Sequence, residues 1–273
     1  MTKNHKPPVV LVIAGNDPSG GAGIAADLQA ITALGTHPAP VISALTVQDT
    51  RNAYEVRAEE SRFVAAQAET VLDDLPVAAI KLGLLGNAAI GEAVAQVLAA
   101  RPTIPVILDP VLVAAGGAQL AEDELIAVYQ RALFPRATLI TPNALEARQL
   151  APDATSADER ATHLLAHGAN AVLLKGGDED TPDIHNALYG PNGFRKSWQW
   201  QRLPGQHHGS GCTLASAIAA LVARGLSLAD AVAQAQDYTW HALQQGWSLS
   251  IDGRGQNIPN RQFAAYDAAP TGS

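Results

Sequence analysis

Six short apolar runs recur along the chain, at residues 9–15 (VVLVIAG), 41–45, 78–85 (AAIKLGLL), 105–111 (PVILDPV), 137–140 and 171–174. A strand in which nearly every residue is apolar must be covered on both faces. That is the property of a parallel sheet flanked by helices, not of an antiparallel sheet with one wet face. Segments between the runs carry helical spacing. Ile24, Leu28, Ile31 and Leu34 share one face, as do Val64, Ala68, Val71 and Leu72; Ile90, Val94, Val97 and Leu98 follow a capping Asn87, and Leu125, Tyr129 and Leu133 come next. A long helix is expected from near Gly211 to Gly225, and another over 228–244. The alternation defines an α/β chain with a mostly parallel central sheet. Residues 186–203 break the pattern, because Pro191-Asn192-Gly193 between two mixed runs predicts an antiparallel hairpin at a sheet edge. Beyond Ser250 the chain turns polar and is expected to be loose. No linker or repeat divides the sequence, so residues 1–273 are read as one domain.

Composition narrows the function. Hydrophobic residues at 47 % and charged residues at 16 % exclude a disordered chain. Eighteen Lys and Arg against 26 Asp and Glu give a net charge of -8, which argues against a general binder of nucleic acid or anionic membrane. There is no apolar run of membrane-spanning length, and residues 1–8 carry no signal-type apolar segment. A single cysteine, Cys212, forbids an internal disulfide and fits a reducing, cytoplasmic setting. These exclusions leave room for a local positive pocket that takes a phosphate.

The unusual polar and glycine residues cluster just after the predicted strands, on the rim where open α/β sheets bind ligands. Residues 14–23 (AGNDPSGGAG) join the first strand to the first helix. Gly21 to Ala26 satisfies G-x-G-x-x-A, a dinucleotide fingerprint. However, five residues separate strand from glycines, and no carboxylate ends the next strand to take a ribose hydroxyl. Gly209-Ser210-Gly211-Cys212-Thr213 opens the long helix. Small residues there let backbone N–H groups converge on an anion, assisted by the helix dipole. The same field is expected to lower the Cys212 thiol pKa. A hydrolase pairing of Cys212 with His207 or His208 is the weaker reading, since neighbours in sequence fix no nucleophile–base geometry. Asn143 and Glu146, at i and i+3 of a helix start, read either as oxygen ligands for Mg²⁺ or as a reciprocal cap. Asp109 ends one strand and can join a metal shell; Lys175 ends another and can meet a phosphate. Taken together, the set points to phosphoryl transfer.

The same stretches carry a resemblance: AGNDPSGGAGIAADLQAITALG, VISALTVQDT, IKLGLLG, VILDPVLVAAGG, LITPNALEA, VLLKGG and HGSGCTLASAIAA, in this order from residue 14 to 220. The chain resembles the ribokinase-like superfamily and, within it, the bacterial hydroxymethylpyrimidine/phosphomethylpyrimidine kinases of thiamine biosynthesis. That resemblance implies a three-layer αβα sandwich, ATP and Mg²⁺, and a homodimer. It also implies that Gly15, Asp27, Gln48 and the apolar Leu84 touch a pyrimidine alcohol, with His208 donating to substrate or phosphate. Asn143, Lys175 and Gly211 would contact the nucleotide, Asp109 and Glu146 would hold the metal, and Gly209, Ser210, Gly211, Cys212 and Lys175 would surround the transferring group. Cys212 stands where many sugar kinases of the superfamily carry a catalytic Asp, and its thiolate is expected to take the alcohol proton. Departures are Asn16 for Thr or Ser, Asp49 for Asn, and Gln236 near a frequent Lys. The rival readings are a pyridoxal kinase of the same fold and a non-catalytic pyrimidine-binding or regulatory protein.

Overall fold

A computed structural model describes residues 6–112 and 123–263. Residues 113–117 of the VILDPVLVAAGG stretch, the first five residues and the tail from 264 lie outside the described residues. Nine strands form one sheet: β1 (Val9–Asn16), β2 (His37–Gln48), β3 (Ala53–Ala58), β4 (Val77–Leu82), β5 (Val106–Leu108), β6 (Leu139–Ile140), β7 (Val172–Leu174), β8 (Asp183–Tyr189) and β9 (Arg195–Gln201). Their order across the sheet is β3-β2-β1-β4-β5-β6-β7-β8-β9. The six central strands, β2 to β7, are parallel; β3 pairs antiparallel with β2, and β8 and β9 run antiparallel at the other edge.

Helices cover both faces, as the apolar runs demand. α1 (Gly23–Ala33), α7 (Ser210–Ala223) and α8 (Leu228–Gln244) pack on one side; α2 (Ser61–Asp74), α3 (Ala88–Ala99), α4 (Asp123–Val128), α5 (Ala144–Leu150) and α6 (Ala157–Ala166) pack on the other. β1 displays the logic: Leu11 and Ile13 enter one core layer, Val10, Val12 and Ala14 the other, and all are essentially dry. Asn87 caps α3 by accepting from the Ile90 amide, as the sequence predicts. The hairpin around Pro191-Asn192-Gly193 is present, with Asn192 and Gly193 in the left-handed region.

Two expectations fail. The run 41–45 is only the middle of β2, which continues through Gln48 and folds back as β3. Beyond Ala44 its residues alternate between exposed and half-buried, so the apolar count stops early. Asp49 fixes this turn by accepting from the Arg51 and Asn52 amides and the Tyr54 hydroxyl. Those backbone bonds, aided by Tyr54 and Arg51, hold its pKa at about 2. The polar stretch after Ser250 is described as far as residue 263, and within it Gln256, Ile258 and Asn260 are buried while Ile251 is fully exposed, so only its second half departs from the loose tail expected. The Trp247 and Ile258 backbones pair, His208 N–H donates to Asn257 O at 2.8 Å, and Arg261 is buried. Within this second half the buried Arg261 side chain finds partners elsewhere in the protein, on Thr213 and Gln29.

Candidate active site

The chain leaves β1 for β2 on one side and returns to β4 on the other. The carboxyl ends of β1 and β4 therefore diverge, and a crevice opens there. It is a cavity of about 630 Å³ reaching from Gly15, Gln48 and Leu84 past Lys175 and Gly209–Cys212 to Leu203, His207 and Trp240.

One wall is the loop after β1. Asp17, 3 % exposed, accepts from the Ser19 and Ala22 amides at 2.8 Å, from the Ser19 hydroxyl at 3.0 Å, and from His208 Nε2 at 2.7 Å. Burial pushes its pKa up, but the His208 and Ser19 bonds outweigh this and hold it below the usual carboxylate value. His208 Nε2 also lies 3.1 Å from the Gln48 amide. His208 Nε2 is thus engaged by the loop, while its buried Nδ1 has no hydrogen-bond partner among the described residues. Gly21 is glycine for want of room, since a Cβ would collide with the His208 ring. Gly15 packs directly on Leu84, which brings these two expected substrate contacts together.

The facing wall is the start of α7. Gly209 takes φ 74° as its N-cap, and a Cβ there would strike the Gly21 carbonyl. The two glycine turns touch across the crevice. A Cβ on Gly211 would sit 3.0 Å from Lys175 Nζ, so this glycine lets the ammonium approach the first turn. Lys175 Nζ is 2.8 Å from Asp109 Oδ1, which also accepts from the Thr141 hydroxyl at 2.9 Å; Asp109 Oδ2 faces Gly211. Burial would lower the Lys175 pKa, but Asp109 and Glu146 outweigh it and raise it, so the lysine is charged.

Asn143 and Glu146 form a complete capping box on α5: Asn143 Oδ1 accepts from the Glu146 amide, and Glu146 Oε2 from the Asn143 amide, both at 2.8 Å. Of the two meanings the sequence left open, the cap is realised. Burial, with Asp109 nearby and Lys175 opposing, pushes the Glu146 carboxyl up to about 8. Among the described residues no group of three His, Cys, Asp or Glu side chains is poised to hold a metal.

Two site expectations are corrected. Asp27 does not line the cavity. It is fully buried; both oxygens accept from Lys81 Nζ at 2.8 Å and one accepts from the Ser216 hydroxyl at 2.7 Å, which leaves nothing for a substrate amine. The Cys212 thiol is raised, not lowered. It is half-buried beside the cavity, and burial pushes it up to about 11, with Asp27 and Asp109 adding to the rise and Lys81 and the Gly23 amide opposing. Desolvation and two carboxylates outweigh the helix dipole. Gln236 is buried as well, accepting from the Asn186 amide and the Trp200 indole, so it ties the edge hairpin to α8.

The sequence reading missed three residues. Asp17 lies within AGNDPSGGAG, and an Asp with Ser two residues on is the pattern of an Asx turn. Lys81 is a charge in the middle of an apolar run, a sign that a buried partner must exist. Arg261 gave no local signal.

A parallel sheet with a glycine-walled crevice, a helix N-terminus and a charged lysine at its carboxyl rim defines a phosphotransferase of the ribokinase-like class. The family model described as phosphomethylpyrimidine kinase matches residues 17–257, and the chain belongs to that family. It is 40 % identical over 249 residues to the hydroxymethylpyrimidine/phosphomethylpyrimidine kinase of Escherichia coli, covering 88 % of this chain and 92 % of that protein. It is 39 % identical over 262 residues to the thiamine biosynthesis bifunctional protein ThiED of Geobacter sulfurreducens, covering 94 % of this chain; it spans 53 % of that longer relative. The fold is similar to that of the Staphylococcus aureus pyridoxal kinase solved with AMP-PCP and pyridoxal, with a TM-score of 0.84, 28 % identity, and coverage of 97 % and 96 %. No helix among the described residues is long and apolar enough to cross a membrane.

Proposed function

We propose that the chain, acting as one cytoplasmic kinase domain, transfers the γ-phosphoryl group of ATP to the hydroxymethyl oxygen of 4-amino-5-hydroxymethyl-2-methylpyrimidine, and then phosphorylates the monophosphate to the diphosphate. The observation that carries this is the contact of the Gly21 and Gly209 turns, with Lys175 against Gly211, in a cavity lined from Gly15 and Leu84 to Leu203 and Trp240. The aminopyrimidine lies against Gly15, Leu84 and Gln48, whose amide can both donate to and accept from an aminopyrimidine edge. The nucleotide phosphates lie along the amides of Gly209, Ser210 and Gly211 with Lys175 above them.

The alcohol oxygen forms the new bond to γ-phosphorus as the bond to the β–γ bridging oxygen breaks, and ADP leaves. A loose transition state asks little of a base. Cys212, pushed up to about 11, is protonated at neutral pH. The alcohol proton is therefore lost late, to a phosphoryl oxygen, and the thiol acts as a small neutral wall and weak donor. Asp109 Oδ2, turned toward Gly211, and Glu146 suit a hard cation; two carboxylates leave the remaining ligands to phosphate and water, the usual arrangement for Mg²⁺. Mg²⁺ held there would neutralise phosphate charge. Asn143 contributes by fixing Glu146. The exposed Leu45, Val47 and Tyr54 of β2–β3 offer an apolar face for a homodimer.

The pyridoxal reading is favoured by one observation, the likeness to the Staphylococcus aureus enzyme. A panel of Mg-ATP with the pyrimidine alcohol, its monophosphate and pyridoxal separates the readings. The highest kcat/KM is expected for the pyrimidine pair. Preference for pyridoxal would reassign the substrate, and no turnover with tight pyrimidine binding would leave a non-catalytic binder.

A further inference from the structure

The crevice is bordered by a buried cation that the phosphoryl-transfer reading does not use. Arg261 is 1 % exposed, and among the described residues it makes no ion pair. Its Nε donates to the Thr213 hydroxyl at 2.8 Å, Nη1 to Gln29 Oε1 at 3.2 Å and to the Gly20 carbonyl at 3.5 Å, and Nη2 to the Gly21 carbonyl. A Cβ on Gly209 would lie 2.9 Å from Nη2, so the guanidinium sits where the two glycine turns meet. Its own backbone is anchored, since Arg261 O accepts from the Tyr238 hydroxyl at 2.6 Å and the Asn260 amide donates to Ala242 O at 2.8 Å.

A trans peptide points its C=O and N–H in opposite directions. The Gly20 and Gly21 carbonyls point to Arg261, while the following amides, Gly21 N and Ala22 N, donate to Ser19 Oγ and Asp17 Oδ2. Two peptide planes are thus strung between a buried cation and a buried anion. Asp17 also holds His208, the residue before Gly209. The circuit closes on itself: Asp17, His208, Gly209, Arg261, Gly21, Ala22, and back to Asp17. Burying a guanidinium with no carboxylate in direct contact is costly; the Thr213 hydroxyl, the Gln29 amide oxygen and the two glycine carbonyls offset part of it, and Asp27 and Asp17 favour its charge from further away.

Resting on the phosphoryl-transfer reading, we propose that Arg261 is a positioning residue of the nucleotide's phosphate site: it clamps the glycine-rich loop to the start of α7 and adds positive potential behind the amides that face the phosphates. The clamp acts on the phosphate arm and leaves the base end of the cavity alone. Mg-ATP and adenosine binding, measured by calorimetry on the full chain, therefore test it without turnover. Arg261→Ala is expected to weaken Mg-ATP binding about 10- to 100-fold while adenosine binding stays within twofold. Guanidinium chloride at tens of millimolar should restore at least part of the loss, and sodium chloride at the same ionic strength should not. Arg261→Lys should recover part of the affinity by charge alone. If Arg261→Ala does not fold, Thr213→Val, which removes one anchor, should show a few-fold loss for Mg-ATP only. Equal weakening of ATP and adenosine, an unchanged ATP affinity, or no difference between guanidinium and sodium would overturn the proposal. A parent chain that binds the pyrimidine but no nucleotide would overturn the kinase reading together with it.

Discussion

Two lysine–aspartate pairs of the same length, 2.8 Å, lie on the carboxyl side of the sheet, and they are not equivalent. Lys81 and Asp27 are wholly dry. Every Asp27 oxygen is taken, and Ser216 completes the cluster one helical turn beyond Cys212 on α7. Lys175 is 12 % exposed beside the cavity, its ammonium reaches Gly211, and Asp109 keeps Oδ2 turned toward the same turn. Equal geometry gives unequal chemistry. A closed pair is a fixed dipole that ties α1 to β4, whereas an open pair can exchange its partner when an anion arrives. Burial of the remaining lone pairs, rather than the salt-bridge distance, separates the two.

Replacing each lysine by Met should pull the pairs apart. For Lys175→Met, turnover should fall by about 10²- to 10³-fold, the usual loss when one donor aimed at developing charge is removed. Thermal unfolding of the unliganded protein should move far less than for the other pair. For Lys81→Met the pattern should reverse, with a stability loss of about 3–5 kcal/mol in urea titration, because Asp27 is left buried and unpaired. Lys81→Met combined with Asp27→Leu should recover much of that loss. If Lys175→Met instead unfolds the protein while Lys81→Met leaves it stable and inactive, the two pairs have been assigned the wrong way round.

That comparison also explains what was legible in advance. The α/β fold follows from residues such as Val9 to Ala14, whose type encodes two-sided burial whatever their neighbours. Lys175, Asp109 and the Gly209–Gly211 turn were legible because a strand end or helix start announces itself locally. Asp27 was misread because whether its carboxylate faces a ligand or Lys81, 54 positions away, depends on packing between α1 and β4. Cys212 was misread for a related reason: the helix dipole can be inferred from sequence, but Asp27 and Asp109 beside the thiol cannot. Arg261 is the extreme case, a polar residue in a polar stretch whose partners lie about 240 residues earlier and at Thr213.

The open pair has a titrating neighbour, which sharpens the contrast. Burial pushes Glu146 up to about 8, above its ordinary 4.5. Between those values the folded protein holds a proton that the unfolded chain has lost. The stabilisation is therefore full below about pH 4.5 and disappears as pH rises through about 8, at roughly 1.4 kcal/mol per pH unit at most. Glu146→Gln should flatten the stability profile over that window. Saturating Mg²⁺ should shift the Glu146 midpoint downward, since a bound cation favours the carboxylate. A parent profile that is flat across pH 5–8 and instead rises as pH climbs toward 4.5, with that rise absent in Glu146→Gln, would show the carboxyl to be depressed.

Cys212 stands between the pairs and should show the smallest effect. At about 11 its thiol is ionised to only about one part in a thousand at pH 8. Iodoacetamide should modify it slowly at neutral pH and faster as pH approaches 11. The charged groups bearing on it are Lys81, Lys175 and Arg261 on the positive side and Asp27 and Asp109 on the negative. Asp109→Asn should therefore move the alkylation midpoint down. Cys212→Ala should keep pyrimidine affinity and lower kcat by about tenfold, less than the 10²- to 10⁴-fold typical of a true general base. A thousandfold fall in kcat, or an alkylation midpoint near 7, would mean that the thiolate does take the alcohol proton. The positive charge of Lys81 and Lys175 would then outweigh burial and the two carboxylates at the thiol.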